Sequence, residues 1–140
     1  MRDSSDPAIA KGTEVRREMF GDELVDANFV NGSDFQRPIQ EWVSGAVWAD
    51  VWTRGVLDRH TRSLVTIALV ASVNRPLELE RHILAGLTNG CTAEEIQELL
   101  LHVAPYCGAP SAMSAFRLAE EVLTAAGAIG TDSPSHTKGK

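Results

Sequence analysis

The chain lacks an apolar run long enough to cross a bilayer. Its longest nearly unbroken one, LVTIALVASV from Leu64 to Val73, is about half of the ~20 residues that a span requires. The opening MRDSSDPAIAKG has no apolar segment of the kind a secretory signal needs, so a cytoplasmic location is expected. Positive charge is also short: 13 Lys and Arg face 19 Asp and Glu, a net charge of -6. That balance excludes the basic footprint of a nucleic-acid binder. Only two cysteines occur, Cys91 and Cys107, and in a reducing compartment they read as thiols rather than a structural disulfide. No alternating strand pattern, internal repeat, HExxH pair or cysteine cluster is found, so no metal site is expected.

What is present is a single domain's worth of helix. With 140 residues, 44% of them hydrophobic, the chain can bury a sizeable core. The pattern predicts an all-α, single-domain bundle of about six helices. Residues 1–12 are expected as an N-terminal extension, 13–126 as the helical domain and 127–140 as a disordered tail that carries no function. Val15 and Met19 mark a first helix stopped by Gly21. Ser33 to Gln36 has capping-box spacing for a second, running through Trp52 with Gly45 as a weak point. Asp58 caps a third, apolar on almost every face beyond its first turns and therefore placed at the centre of the fold. Pro76 opens a fourth, closed by Gly90, and Thr92 to Glu95 caps a fifth carrying Ile96, Leu99, Leu100 and Val103. The sixth follows Pro110.

On the fifth helix, Glu95, Glu98, His102 and Tyr106 share one stripe, which brings a carboxylate, an imidazole and a phenol together. Pro105 removes the hydrogen bond to the Leu101 carbonyl and predicts a kink where Cys107 enters the interior. Two readings of Glu95 stay open, helix cap or acid catalyst, and they compete for one carboxylate. His102 reads as a half-buried hydrogen-bonded histidine or a catalyst, and His82 as a satisfied core histidine or a group facing a pocket. Cys107 reads as a small buried hydrophobe or a reactive thiol, and Cys91, in a tight turn, as packing. Trp48, Trp52, Arg54, Arg59 and Arg62 cluster where one helix ends and another begins. Such arginines grip carboxylates in bidentate fashion, while the tryptophans either wall that site or pack the core.

The passages WTRGVLDRHTRSL and EEIQELLLHVAPYCGAPSA, within a match from Val15 to Leu123, resemble the gamma-carboxymuconolactone decarboxylase family. The wider alkylhydroperoxidase-D-like superfamily has a glutamate, then two cysteines in C-x-x-C spacing, then a histidine. Here Glu95 and Cys107 keep their places, but Pro110 stands for the second cysteine and Ser114 for the histidine. Disulfide cycling within that motif is thereby excluded, and the CGxP pattern resembles the decarboxylase branch. The resemblance implies a ring-like homo-oligomer, a hexamer, with a small-molecule carboxylate lactone as substrate. It implies conversion of 4-carboxymuconolactone to 3-oxoadipate enol-lactone without a cofactor, in the protocatechuate branch of the beta-ketoadipate pathway. On that reading Arg54 and Arg62 bind carboxylate beside Trp52, with Arg59 a third candidate. Glu95 or His102 protonates the dienolate, His82 and Tyr106 donate hydrogen bonds to the lactone, and Cys107 is a neutral neighbour or proton relay. The alternatives are a same-fold enzyme with another lactone or ring substrate, a single-cysteine thiol redox or stress module, and a silent binding protein.

Overall fold

Helix starts and stops follow local chemistry through most of the computed structural model, which describes residues 4–130. Among these are seven α-helices: α1 (Pro7–Phe20), α2 (Asp22–Val25), α3 (Arg37–Trp42), α4 (Arg59–Ser72), α5 (Pro76–Thr88), α6 (Ala93–Cys107) and α7 (Ala109–Ala125). Two π-helical segments, Asp26–Val30 and Val43–Ala49, extend α2 and α3. No strand occurs among the described residues, so the all-α expectation holds. The helix count exceeds six because α2 is a separate short element.

The caps of the second half fall where the sequence places them. The Asp58 carboxylate accepts from the Thr61 N–H at 2.7 Å and starts α4. Pro76 is the first residue of α5, and Gly90, at φ 88°, turns the chain out of it. In the capping box of α6 the Thr92 hydroxyl accepts from the Glu95 N–H at 3.1 Å. The Glu95 carboxylate in turn accepts from the Thr92 N–H at 2.9 Å.

The first half departs from expectation in three ways. Helix α1 begins at Pro7, because Asp6 caps it through the Ala8 N–H at 2.9 Å and Ile9 is buried. Residues 7–12 are therefore part of the helical domain rather than an extension. Ser33 forms no capping box; its carbonyl accepts from the Gln36 and Arg37 N–H groups in a turn braced by an Arg37–Asp34 ion pair. Finally, the helix predicted through Trp52 widens at Val43 into i to i+5 bonding, with the Trp52 N–H reaching the Val47 carbonyl at 3.0 Å.

At the other end, the Ala128 N–H returns to the Leu123 carbonyl at 2.9 Å and Ile129 packs on the core, so ordered structure passes the predicted boundary at 126. The remainder of the predicted tail, 131–140, lies outside the described residues.

Two apolar clusters result. Ile67, Leu79, Ile83, Ile96, Leu100, Ala119 and Leu123 fill the α4–α7 bundle. Val15, Met19, Trp48, Trp52 and Ala85 form a second cluster, where α1 and the Val43–Ala49 segment dock on α5. Helix α4 is not central. Ile67 and Ala71 are buried, but Val65, Leu69 and Val73 are 48%, 60% and 63% exposed on the opposite face.

Candidate active site

His82 stands on α5 at the seam between the two clusters. Its ring stacks near-parallel to Trp48 (centroids 6.2 Å, 13°) and Trp52 (6.3 Å, 20°), with Phe20 edge-on at 5.5 Å. Trp48 and Trp52 lie 4.7 Å apart, as their i, i+4 spacing requires, and both are buried. Burial in this aromatic box lowers the His82 pKa to about 4, against a smaller opposing pull from Glu78. The imidazole is therefore neutral at pH 7. Its Nδ1 is buried without a hydrogen-bond partner, an unusual cost for a native polar atom. The satisfied-core reading of His82 fails on that atom.

The ring borders a cavity of about 150 Å³, whose lining also includes Arg16, Phe20, Asn28, Trp48 and Arg81. Arg16 enters from α1, donating to the Ser44 hydroxyl at 3.1 Å and to the Gln40 side-chain carbonyl at 2.8 Å. Burial and the neighbouring Arg81 both lower its pKa. A neutral imidazole, aromatic walls and two guanidinium groups suit a small acid whose reacting part is apolar and conjugated. A larger cleft of about 300 Å³ between α6 and α7 is lined by Ile96, Leu100, Phe116 and Leu123. Its lining contains no histidine or thiol, so size alone does not make it the reactive site.

The remaining sequence candidates fall into separate places. Trp52 joins His82 directly. Glu95 closes its capping box and also meets His60 Nε2 at 2.9 Å, tying the first turn of α6 to the first turn of α4. The Thr92 N–H, and next the His60 hydrogen bond, hold its carboxyl below the ordinary range. Arg62 donates to the Leu57 and Arg54 carbonyls at 3.1 and 3.2 Å, which fastens the turn before α4, while Arg54 is exposed. Arg59 pairs with Glu18 at 2.6 Å.

His102 and Tyr106 contact each other, with ring centroids 5.0 Å apart, but both are exposed. Cys107 is exposed too and does not enter the interior. Although Pro105 sits inside α6, the helix continues to Cys107 and ends at Gly108, whose N–H reaches the Ala104 carbonyl. The thiol is left on the outer side of that last turn. Cys91 is buried, and its thiol is pushed up to about 11 by burial, then by Glu95 and Asp58. It is not a thiolate at neutral pH.

Arg16, Phe20, Arg81 and His60 were missed by sequence reasoning. Arg16 lies next to Val15 on the helix, off the apolar stripe, where an arginine ordinarily points to water. Only the docking of α3 and the Val43–Ala49 segment makes it interior. His60 carried one local signal, its place two residues after the Asp58 cap.

The model of the carboxymuconolactone decarboxylase family matches residues 37–121. The chain is 42% identical over 113 residues to 4-carboxymuconolactone decarboxylase of Acinetobacter baylyi, covering 81% of this chain and 84% of that protein. It is 38% identical over 113 residues to nitrosuccinic acid decarboxylase of Metarhizium robertsii, covering 81% of this chain and 79% of that one.

Proposed function

The chain belongs to the carboxymuconolactone decarboxylase family, and on that premise we propose that it is a carboxy-lyase converting 4-carboxymuconolactone to 3-oxoadipate enol-lactone and carbon dioxide. Both named relatives are decarboxylases. The observation that carries the site assignment is the neutral, half-buried His82, with its Nδ1 buried and unpartnered, at the wall of an aromatic, arginine-lined cavity.

The carboxylate lost in this reaction sits on the γ carbon of an unsaturated lactone. As carbon dioxide leaves, its bonding electrons pass through the ring double bond to the lactone carbonyl, so the substrate is its own electron sink. The protein has to stabilise the growing charge on that oxygen, keep water from the leaving carboxylate and deliver a proton to the α carbon. The His82 imidazole donates a hydrogen bond to the carbonyl, Trp48 and Phe20 form the apolar wall against which the substrate ring lies, and Trp52 backs the imidazole from outside the cavity. The carboxylates of the bound acid raise the proton affinity of the imidazole, so His82 takes up a proton from solvent as the substrate binds, gives it to the α carbon and returns to the neutral ring. Glu95 and His102, the acids suggested by spacing, are respectively engaged in a helix cap and exposed. Nitrosuccinic acid, in the name of the fungal relative, follows the same electronic logic, its nitro group taking the electrons in place of the lactone.

The assembly is a ring-like homo-oligomer, a hexamer. Its support is the row of exposed apolar side chains at i, i+4 and i+8 along α4 and its C-cap, Val65, Leu69 and Val73, since exposed apolar patches mark interfaces. Among the described residues no helix is long and apolar enough to cross a membrane, and the reaction is assigned to the cytoplasm and to the protocatechuate branch of the beta-ketoadipate pathway. Proton NMR of the purified chain with freshly generated 4-carboxymuconolactone tests the reading. Growth of the enol-lactone α-methylene signals is expected, and His82→Gln should abolish most of it. Unchanged lactone over a folded wild-type sample would overturn the substrate assignment.

A further inference from the structure

Arg16 is a half-buried cation with no acidic partner among the described residues. Each of its terminal nitrogens donates to a neutral oxygen, Ser44 Oγ or the Gln40 side-chain carbonyl; these bonds fix the guanidinium, cancel none of its charge and leave each nitrogen a second N–H. Its Nε is buried and has no partner. Among the described residues the basic groups seen in ion pairs are Arg17, Arg37, Arg59 and His60, and Arg16 is not one of them. Glu78, in the same cavity lining, forms none with it, and the adjacent charge is the like-signed Arg81. The contrast with the next residue is direct, since Arg17 holds Asp22 and Asp26. Burying a guanidinium beside another cation costs stability unless an anion completes the site.

The chemistry of the two relatives' named substrates says which anion. In 4-carboxymuconolactone the carbon that loses carbon dioxide also carries a CH2–COO⁻ arm. In nitrosuccinic acid the carbon bearing the nitro group and one carboxylate carries the same arm. Each is a succinic acid substituted at its reacting carbon by an electron sink, and each keeps one carboxylate through the reaction. We infer that Arg16 is the anchor for that retained carboxylate, and that the cavity selects 2-substituted succinates as a class. The inference rests on the decarboxylase reading for its chemistry, while the anion site itself rests on Arg16. The His82 side receives the sink, and Arg16, fixed by Ser44 and Gln40, grips the arm from α1. A preset guanidinium pays no reorganisation when the acid arrives.

The test uses the full chain and two kinds of probe. Succinate, which has no sink and cannot react, is titrated while intrinsic tryptophan fluorescence is followed, to which Trp48 in the cavity wall contributes, with butyrate as the monoacid control. Succinate is expected to bind, butyrate to bind at least tenfold more weakly, and Arg16→Gln to weaken succinate by about 100-fold, as for loss of a charged, buried hydrogen bond. In turnover, wild type should lose about 100-fold in kcat/KM on the lactone whose carboxymethyl arm is replaced by ethyl. Arg16→Gln should lose as much on the native lactone but little more on the armless one.

Equal losses on both lactones would make Arg16 structural and overturn the inference while the decarboxylase reading stands. So would succinate and butyrate binding alike. Succinate binding that depends on Arg16, without turnover of any lactone, would keep the dianion site and remove the reaction. Should Arg16→Gln fail to fold by circular dichroism, Arg16→Lys, which keeps the charge and loses the fork, serves in its place, with the arm dependence of wild type as the deciding comparison.

Discussion

The α4–α7 bundle and the layer of α1, α3 and the Val43–Ala49 segment are built by different rules. In the bundle each helix announces itself locally, through Asp58, Pro76, Gly90 and the Thr92–Glu95 box, and buries a stripe at helical spacing. The layer is held by contacts distant in sequence: Arg16 to Ser44 and Gln40, Arg59 to Glu18, and Gly12 against the Ser44 backbone. The candidate site lies where the two meet. A regular bundle supplies a fixed platform for His82, and an irregular layer supplies the walls and the charge that make its chemistry.

The largest expected effect comes from separating the two. Gly12 packs so closely on the Val43–Ala49 segment that a Cβ there would collide with the Ser44 carbonyl. Gly12→Ala should cost about 3 kcal/mol or more, since rigid backbone has to move. The loss should be specific: helical circular dichroism of the bundle survives, whereas Trp48 and Trp52 become solvated, fluorescence shifts to the red and turnover disappears. Retained activity with undocked tryptophans would show that the bundle alone carries the chemistry.

Next in size is the contrast between two histidines. His82→Gln removes the group assigned to the lactone oxygen and the α proton, and should lower kcat by about 100-fold or more. His102→Gln, on an exposed stripe, should change kcat/KM by less than about threefold in the same assay. The reverse ranking would move the site to the outer face of α6.

How far the sequence could lead follows from that same contrast. Periodicity, caps and turn glycines are local, so the bundle and the all-helical class were legible. Glu98, His102 and Tyr106 were also correctly placed on one stripe, but spacing says nothing of what covers a stripe, and here nothing within the described residues covers His102 and Tyr106. Cys107 failed for the same reason, because a proline in the last turn does not say which side of the helix is interior. Arg16 was illegible in a deeper sense. Its burial depends on α3 widening into π geometry some thirty residues away, and a single Arg beside a buried Val carries no mark of that. His82 and Trp52 were legible as candidates, whereas the cavity that joins His82 to Arg16 was not.

A pH titration sharpens the comparison at intermediate cost. Folded His82 has a pKa of about 4, below the 6.5 of an exposed histidine. Above about pH 6.5 the ring is neutral in both states and contributes no pH dependence. Between about 6.5 and 4 the unfolded chain takes up a proton that the folded chain refuses, so stability falls as pH is lowered, by on the order of 3 kcal/mol. Besides burial, the charge acting on the ring is Glu78 on its own helix; Arg81, also on α5, and Arg16 from α1 line the same cavity. Urea denaturation at stepped pH should show this slope in wild type and lose it in His82→Gln. Glu95 adds a separate decline at lower pH, as its carboxylate, held below the ordinary range, becomes protonated.

The smallest effect decides whether the bundle's own polar pair takes part in the chemistry. Thr92→Ala removes the hydroxyl half of the α6 cap and should cost about 1 kcal/mol. Glu95→Gln keeps the shape but weakens the bonds to the Thr92 N–H and to His60. If Glu95 only fastens α6 to α4, both variants lower the urea midpoint by similar amounts, and kcat/KM moves less than about threefold in either. If Glu95 were the acid, Glu95→Gln alone would lose turnover out of proportion to its stability, because a cap and a proton donor respond differently to the same neutral isostere. The pair of variants thus separates fastening from catalysis at the one carboxylate for which spacing suggested both.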